Sequence, residues 1–491
     1  MSESTLDVVV VGSGPNGLAA AVTLARAGLS VEVIEAQPTI GGGARTLDLG
    51  LAEGVVHDIC SAVHPMAVAA PFMAEFDLAA RGVRFVTPEI SYAQPLDGGR
   101  AALAYRDIDR TAARLGADGR AWKALLGPLA RQQNELVRFG LGDYRSLPRS
   151  LEGLLTTARF GLGMLEQGTP AWNRRFSTEE AAALLTGVGA HAITPMPSIA
   201  AAGAALLLAP IAHGSGWPIP VGGSGALVAA LVEDLQAHGG TVTVGSPVTT
   251  WGDLPPARAH VFDTTPRTVL RVLGDRMPAG AAARLRRFRY GNGAAKVDYV
   301  LSGPVPWSEP EVARSGTVHV GGSRPQMARA ESQVAAGRHA DRPMVLLSDP
   351  AGFDPTREVG GLRPLWTYAH VPSGSQRDVT EDVTAQLERF APGFADLVVA
   401  SRCVPAAEMS DHNENYVGGD VGAGAVSTWQ VLARPTATLN PYRTGADGVY
   451  ICSASSPPGP GVHGMCGWYA ARTVLRDRFG ITTMPSLALS P

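Results

Sequence analysis

The sequence predicts an α/β protein: a Rossmann-type nucleotide-binding domain interleaved with an α+β domain that carries a helical insertion. Three observations carry this expectation. The chain opens on a glycine fingerprint set between two apolar runs; α/β character returns in the middle and again at the end; and strand-like and helical stretches fill the intervals. A chain of 491 residues exceeds what one hydrophobic core serves, so two domains are expected. The segments assign residues 1–85, 214–290 and 445–491 to the nucleotide domain. Residues 86–213 and 291–444 go to the second domain.

Val8 to Val11 form an unbroken β-branched run, suited to a strand covered on both faces of a parallel sheet. Gly12, Gly14 and Gly17 follow at once with G-x-G-x-x-G spacing. The first glycine permits a tight turn, the second lets backbone approach a pyrophosphate, and the third lets the new helix lie close to the strand. Ser13, Pro15 and Asn16 share that turn, and the phosphates belong at the helix N-terminus, where free N–H groups and the dipole favour anions. Leu18 to Ala27 is alanine-rich without internal glycine or proline, so it reads as a helix that Gly28 ends. Val31 to Ile34 is a second apolar run and delivers Glu35, followed by Ala36. A carboxylate there accepts hydrogen bonds from ribose hydroxyls and repels a 2′-phosphate.

Shortly afterwards comes Gly41-Gly42-Gly43-Ala44-Arg45-Thr46, a glycine-rich turn with a cation that returns the chain past the pyrophosphate. This arrangement resembles the FAD-binding segment of the flavin amine oxidase and carotenoid desaturase superfamily: an acidic residue, a short spacer, Gly-Gly and Arg-Thr. The resemblance implies a glutathione reductase/amine oxidase-like fold and FAD rather than NAD. It assigns cofactor contacts to Gly42, Gly43, Arg45 and Thr46 beside those of the fingerprint.

The formal charge of −3 and the lack of a basic run give no footprint for nucleic acid. Cys60, Cys403, Cys452 and Cys466 show neither C-x-x-C nor regular spacing, which argues against zinc and against a disulfide framework. Acidic Glu3 and the absence of a basic, apolar, small-residue order argue against a signal peptide, so a cytoplasmic location is expected. Ile199 to Ala212 is the most apolar window and is too short to span a membrane. It reads as a buried helix, the alternatives being a substrate-tunnel wall or a shallow peripheral membrane contact.

His57, Asp58, Ser61 and His64 crowd a few residues without metal-ligand spacing. They read as loop residues bonding backbone near the cofactor; in the family this chain resembles the segment runs under the flavin, which implies Ser61 and His64 as candidates for the site. Pieces from Val83 to Tyr105 alternate with turns such as Leu96-Asp97-Gly98-Gly99 and predict strands of a second sheet. Asp107 to Leu136 and Leu151 to Gly187 read as helical, broken near Gly168-Thr169-Pro170.

Gly222, Gly223 and Gly225 precede a helix over Ala226–Ala237 and a strand ending near Val244. This looks like the segment that re-enters the FAD domain in carotenoid desaturases, which implies that Val248 presents its backbone to the adenine. Neither this segment nor the polar loop Gly418 to Gly424 has a buried strand leading into its glycines, so no second dinucleotide site is expected. Ala295 to Leu301 alternates like a half-buried strand. Its Lys296 is either solvated or, by resemblance to amine oxidases, held near the flavin N5 through a water. Trp366, Tyr368 and His370 are polar-tipped aromatics that line a pocket or simply pack a sheet.

In Gly448 to Ala471 a short strand, a Ser/Pro/Gly turn and a helix running to Phe479 follow one another. In carotenoid desaturase-like proteins the equivalent unit carries the flavin ring and ribityl chain, which implies roles for Ala454, Gly461, Val462 and Gly464. Ser453-Ala454 here replaces the family's Gly-Ala or Gly-Asp. With FAD segments near the start, middle and end, the chain resembles phytoene desaturase-like FAD-dependent oxidoreductases. The closest subgroup is that of pyridine nucleotide-disulfide oxidoreductase domain protein two. The resemblance implies a dehydrogenase or desaturase that passes a hydride from an apolar substrate to flavin N5, with oxygen or a quinone as reoxidant. Amine oxidation and a non-redox role such as polyene isomerisation or regulatory binding are the alternatives. His64, Lys296 and Tyr368 are the candidate catalytic residues, and no metal is expected.

Overall fold

The structure, a computed structural model, describes residues 6–143, 148 and 150–489; Glu3 and the outermost residues of the segments 1–85 and 445–491 lie outside them. The strands begin with β1 (Leu6–Val11), β2 (Val31–Ile34), β3 (Thr46–Asp48), β4 (Val56–Asp58), β5 (Phe85–Val86), β6 (Ile90–Leu96) and β7 (Arg100–Tyr105). They continue with β8 (Ile219–Pro220), β9 (Thr241–Thr243), β10 (Ala257–Phe262), β11 (Gly293–Leu301) and β12 (Ser315–Val320). The last are β13 (Val345–Ser348), β14 (Arg363–Val371), β15 (Val398–Val404) and β16 (Val449–Ile451).

A five-stranded sheet runs in the order β16-β10-β1-β2-β9 with every pairing parallel. β1 lies at its centre, and Val8 to Val11 are buried because both faces are covered. Val8 and Val10 pack with helices Pro15–Arg26, Gly225–Ala237 and Met465–Phe479, whereas Val9 and Val11 pack with helices Pro266–Leu273 and Ala279–Leu285. The first helix and the closing helix cross in close contact: a Cβ on Gly467 would fall 1.9 Å from the Asn16 carbonyl oxygen.

The second sheet has seven strands in the order β15-β11-β14-β13-β12-β6-β7, antiparallel except for β12 with β6. The hairpin β6–β7 turns at Asp97-Gly98-Gly99, as the turn residues predict. β11 departs from its expected half-exposure. It lies between β14 and β15, and all nine residues are buried, so Lys296 is not solvated. In register across the sheet, Lys296 faces Tyr368, Tyr368 faces Leu346 and Leu346 faces His319. These four side chains form a row on one face.

The helical block includes Gly119–Arg131, Leu151–Gln167, Glu179–Gly189 and Ile199–Ala212, with the expected break at Gly168 to Pro170. Ile199–Ala212 is an internal helix: it packs against Leu151–Gln167, where Gly163 meets Leu206 and Gly203 meets Met164. Its Leu208 lines the cavity described below. No helix among the described residues is long and apolar enough to cross a membrane.

Candidate functional site

A cavity of ≈ 360 Å³ runs from the carboxyl edge of the parallel sheet to the face of the seven-stranded sheet. The carboxyl edge is where doubly wound folds place their ligands. At its nucleotide end it is lined by Gly12 to Asn16, Glu35, Ala36, Val248 and Asp263. Gly42, Gly43, Ala454, Gly461 and Val462 line its middle, and His64, Leu208, Trp217, Leu346, Trp366 and Tyr368 its far end.

Glu35 is fixed before any ligand arrives. Its Oε2 accepts from Ser13 N at 2.9 Å and Ser13 Oγ at 2.5 Å, while Oε1 accepts from Gln37 N at 2.8 Å. Gly12 takes φ +98 in the tight turn, a conformation open to glycine. Gly17, Arg45, Thr46 and Gly464 do not line the cavity; they build what lines it. Gly17 N donates to Asp263 Oδ2 at 2.9 Å, and Gly464 precedes the closing helix at φ +71. Arg45 closes its own turn, donating to Gly42 O at 2.8 Å, Thr39 Oγ1 at 3.0 Å and His412 O at 2.5 Å. Thr46 Oγ1 donates to Asp58 Oδ1 at 2.6 Å and accepts from Gly225 N at 3.0 Å, tying the two glycine turns together.

Asp58 is the hub of this support. Ser224 N reaches its Oδ1 at 2.8 Å, and buried Arg357 pairs with its Oδ2 at 2.9 Å. Burial pushes its carboxyl up, but Arg357 and these hydrogen bonds outweigh burial and hold it below the usual range.

His64 donates rather than accepts. Ser224 Oγ gives its one proton to Ser61 O at 2.5 Å, so the 2.7 Å contact to His64 Nε2 needs the proton on the imidazole. Burial holds His64 down at about 4; at neutral pH it is uncharged, with Nδ1 a buried acceptor lacking a partner among the described residues. The Ser61 hydroxyl is engaged by Gly43 O at 3.1 Å.

Tyr368 lies perpendicular to Trp366 at 5.2 Å and stacks on His370 at 5.7 Å. Burial pushes its hydroxyl well up. Trp366 is anchored by a 3.0 Å bond from Nε1 to Cys60 O. Lys296 does not line the cavity: its Nζ is paired with Asp298, His57 Nδ1 stands 3.6 Å from the same carboxylate, and the Trp366 ring lies 5.4 Å from Nζ. His370 pairs with buried Glu331, and His191, in the cavity wall, meets His319 at 2.9 Å.

These residues fit FAD. A Cβ on Gly14, Gly43 or Gly461 would come within 2.5 Å of Asp263 Oδ2, 2.0 Å of Tyr416 Oη or 2.2 Å of Met66 Cε, so only glycine fits at these three positions of the cavity wall. Three residues of the cavity wall, Asn16, Thr264 and Thr268, each hold a buried side-chain oxygen without a partner among the described residues. Sequence reasoning missed Asp263, Thr264 and Thr268, whose place follows from the strand β10 ending beside β1. It also missed His412 to Tyr416, Val421 and Ala423. The loop Gly418 to Gly424, set aside as a second nucleotide site, walls the first one.

A parallel sheet with this glycine turn, a buried carboxylate at the end of β2 and a cavity reaching the second sheet fits an FAD-dependent oxidoreductase. Residues 16–276 match the family described as flavin containing amine oxidoreductase, and the chain belongs to that family. It is 22% identical to pyridine nucleotide-disulfide oxidoreductase domain-containing protein 2 of Rattus norvegicus, over 96% of this chain and 93% of that one. An uncharacterized protein of Mycobacterium bovis is 26% identical over 96% of this chain and 97% of its own. Despite the rat protein's name, Cys60, Cys403, Cys452 and Cys466 are all free here. Among solved structures, cyclohexylamine oxidase from Brevibacterium oxydans superposes with a TM-score of 0.60 at 16% identity, covering 96% of this chain and 99% of that one. An oxidoreductase from Methanosarcina mazei gives 0.59 at 15% identity, covering 96% and 100%.

Proposed function

We propose that the protein dehydrogenates an uncharged, largely apolar substrate. One observation carries this reading: the acidic residues of the cavity wall, Glu35, Asp263 and Glu414, all belong to the nucleotide end, and among the described residues the far end has no carboxylate to receive a cation. Bound FAD supplies a two-electron acceptor for a hydride. Glu35, oriented by Ser13, holds the ribose, and the turn Gly12 to Asn16 with Gly42 and Gly43 holds the pyrophosphate. Val248 lies toward the adenine. Ala454, Gly461 and Val462 bring backbone to the ring, with Gly464 setting the start of the closing helix behind them. Trp366, Tyr368, Leu208 and Leu346 orient the substrate and exclude water. His64 fixes the loop between the glycine turns, and Lys296 with Asp298 supports Trp366 from behind.

The amine reading rests on the fold shared with cyclohexylamine oxidase and on polar tips at the far end, His191 and Tyr368. It requires the amine to bind uncharged.

The test is anaerobic. Purified yellow protein is mixed with long apolar alkenes and with cyclohexylamine, and the flavin absorbance is followed. Bleaching by the alkenes supports dehydrogenation; bleaching by the amine alone moves the assignment to amine oxidation. No bleaching by either, with reoxidation by oxygen or a quinone equally absent, favours a non-redox role.

A further inference from the structure

Asp263 puts a carboxyl group against the glycine turn that the fold uses to hold a phosphate. It stands one residue beyond β10, its N–H bonded to Val11 O at 2.8 Å, so register alone brings it against the glycine turn. Oδ2 accepts the Gly17 N–H at 2.9 Å, and the main-chain carbonyl accepts from Asn415 Nδ2 at 2.9 Å. The side chain is buried in the cavity wall at the start of the first helix; Asn16, also in that wall, holds a buried Oδ1 without a partner among the described residues. That helix start supplies only about half a positive charge.

The groups that act on Asp263 come from four elements. The glycine turn presents the N–H groups of Gly14 and Gly17, and the end of β2 presents Glu35. Cys452 beyond β16 and Cys466 on the closing helix are thiols that feel its charge. None of these is a cation, and Arg45 is bonded to two carbonyls and a hydroxyl. An ionised Asp263 would add its charge to those of the pyrophosphate and of Glu35 at a single helix start. Burial, and then Glu35, push its carboxyl well above the usual range.

We propose that Asp263 is a cofactor-binding residue that works as a neutral carboxylic acid, FAD binding the protonated form and drawing a proton from solvent wherever the free carboxyl is ionised. One oxygen keeps the Gly17 N–H and the protonated carboxyl donates toward the pyrophosphate. No other bond changes, and the proton returns to solvent when FAD leaves. The inference rests on the cofactor alone and not on the hydride reading, because the test uses no substrate.

FAD is titrated into stripped protein between about pH 6 and about pH 9, and proton uptake is followed with an indicator dye. On the alkaline side, where the free carboxyl ionises, wild type is expected to lose affinity by up to about tenfold per pH unit and there to take up close to one proton per FAD. Asp263→Asn, which is neutral at every pH, is expected to hold FAD with a dissociation constant that does not change over that range. A flat wild-type profile with no proton uptake would overturn the proposal, as would an Asp263→Asn protein that binds FAD more weakly at every pH. Should that variant not fold, the dye measurement on wild type decides: a proton taken up supports the proposal, and none overturns it.

Discussion

Replacing Gly43 by alanine adds one methyl group at a crowded place in the cavity wall. Its Cβ would sit 2.0 Å from Tyr416 Oη and 3.5 Å from Cys60 Cβ, where ordinary contact begins at 3.4 Å. The tyrosine must retreat by more than an ångström. It is held from both sides of its own backbone, Tyr416 N to Asn413 O at 2.9 Å and Gly419 N to Tyr416 O at 2.9 Å. The ring therefore takes the 413–419 loop with it, and that loop is cavity wall. Overpacking of this kind costs about 1–3 kcal/mol. Falling on the surface that FAD shares, it lowers affinity by about 5-fold to about 150-fold. The assay is flavin fluorescence on titration, with the flavin-to-protein ratio after gel filtration. Gly28→Ala is the control: Gly28 has φ +84 with nothing within 4 Å of its Cβ, so it loses about 1–2 kcal/mol of stability and keeps FAD. Wild-type affinity in Gly43→Ala would refute the placement of the cofactor against this turn.

Arg357→Met leaves Asp58 buried and unpaired and is expected to cost about 3–5 kcal/mol in urea unfolding. Because Asp58 is held below 3.8 in the folded protein, its contribution is present above that pH and lost as pH falls through the folded value, so the gap to wild type narrows in acid. Lys296→Met is expected to cost several kcal/mol for the same reason, since Asp298 then loses its cation beside His57; Lys296→Met with Asp298→Leu recovers most of the melting temperature. A single variant as stable as wild type would show that the pair carries no such weight. Burial holds His64, His213, His412 and His463 down at about 4 against 6.5. The unfolded chain then binds more protons as pH drops through that window, so stability is complete above pH 6.5 and falls by at most about 1.4 kcal/mol per unit for each histidine. A urea midpoint unchanged between about pH 7 and about pH 5 would contradict this.

The opening unit was legible because its information is local. Three glycines, a β-branched run and one acid fix backbone shape and charge within a few residues, and the structure puts Gly12, Gly14 and Glu35 in the cavity wall. Lys296 was misjudged as to exposure because alternation along β11 says nothing of its neighbours. Only the pairing with β14 and β15, and the packing around them, buries it. Asp263 was out of reach for a similar reason: its bond to Gly17 spans 246 positions and depends on β10 lying beside β1. The loop His412 to Ala423 carries no pattern of its own, and its place as cavity wall comes from the strands that deliver it.

The closeness of Gly467 to Asn16 joins two helices that stand far apart along the sequence. Without residues 449–479, β10 has a bare edge and the first helix has an uncovered flank. The pocket for the yellow coenzyme is thus whole only when both segments are in place. A chain with residues 449–479 deleted is expected to be unable to keep its flavin, and loss of colour would report that before any assay of turnover.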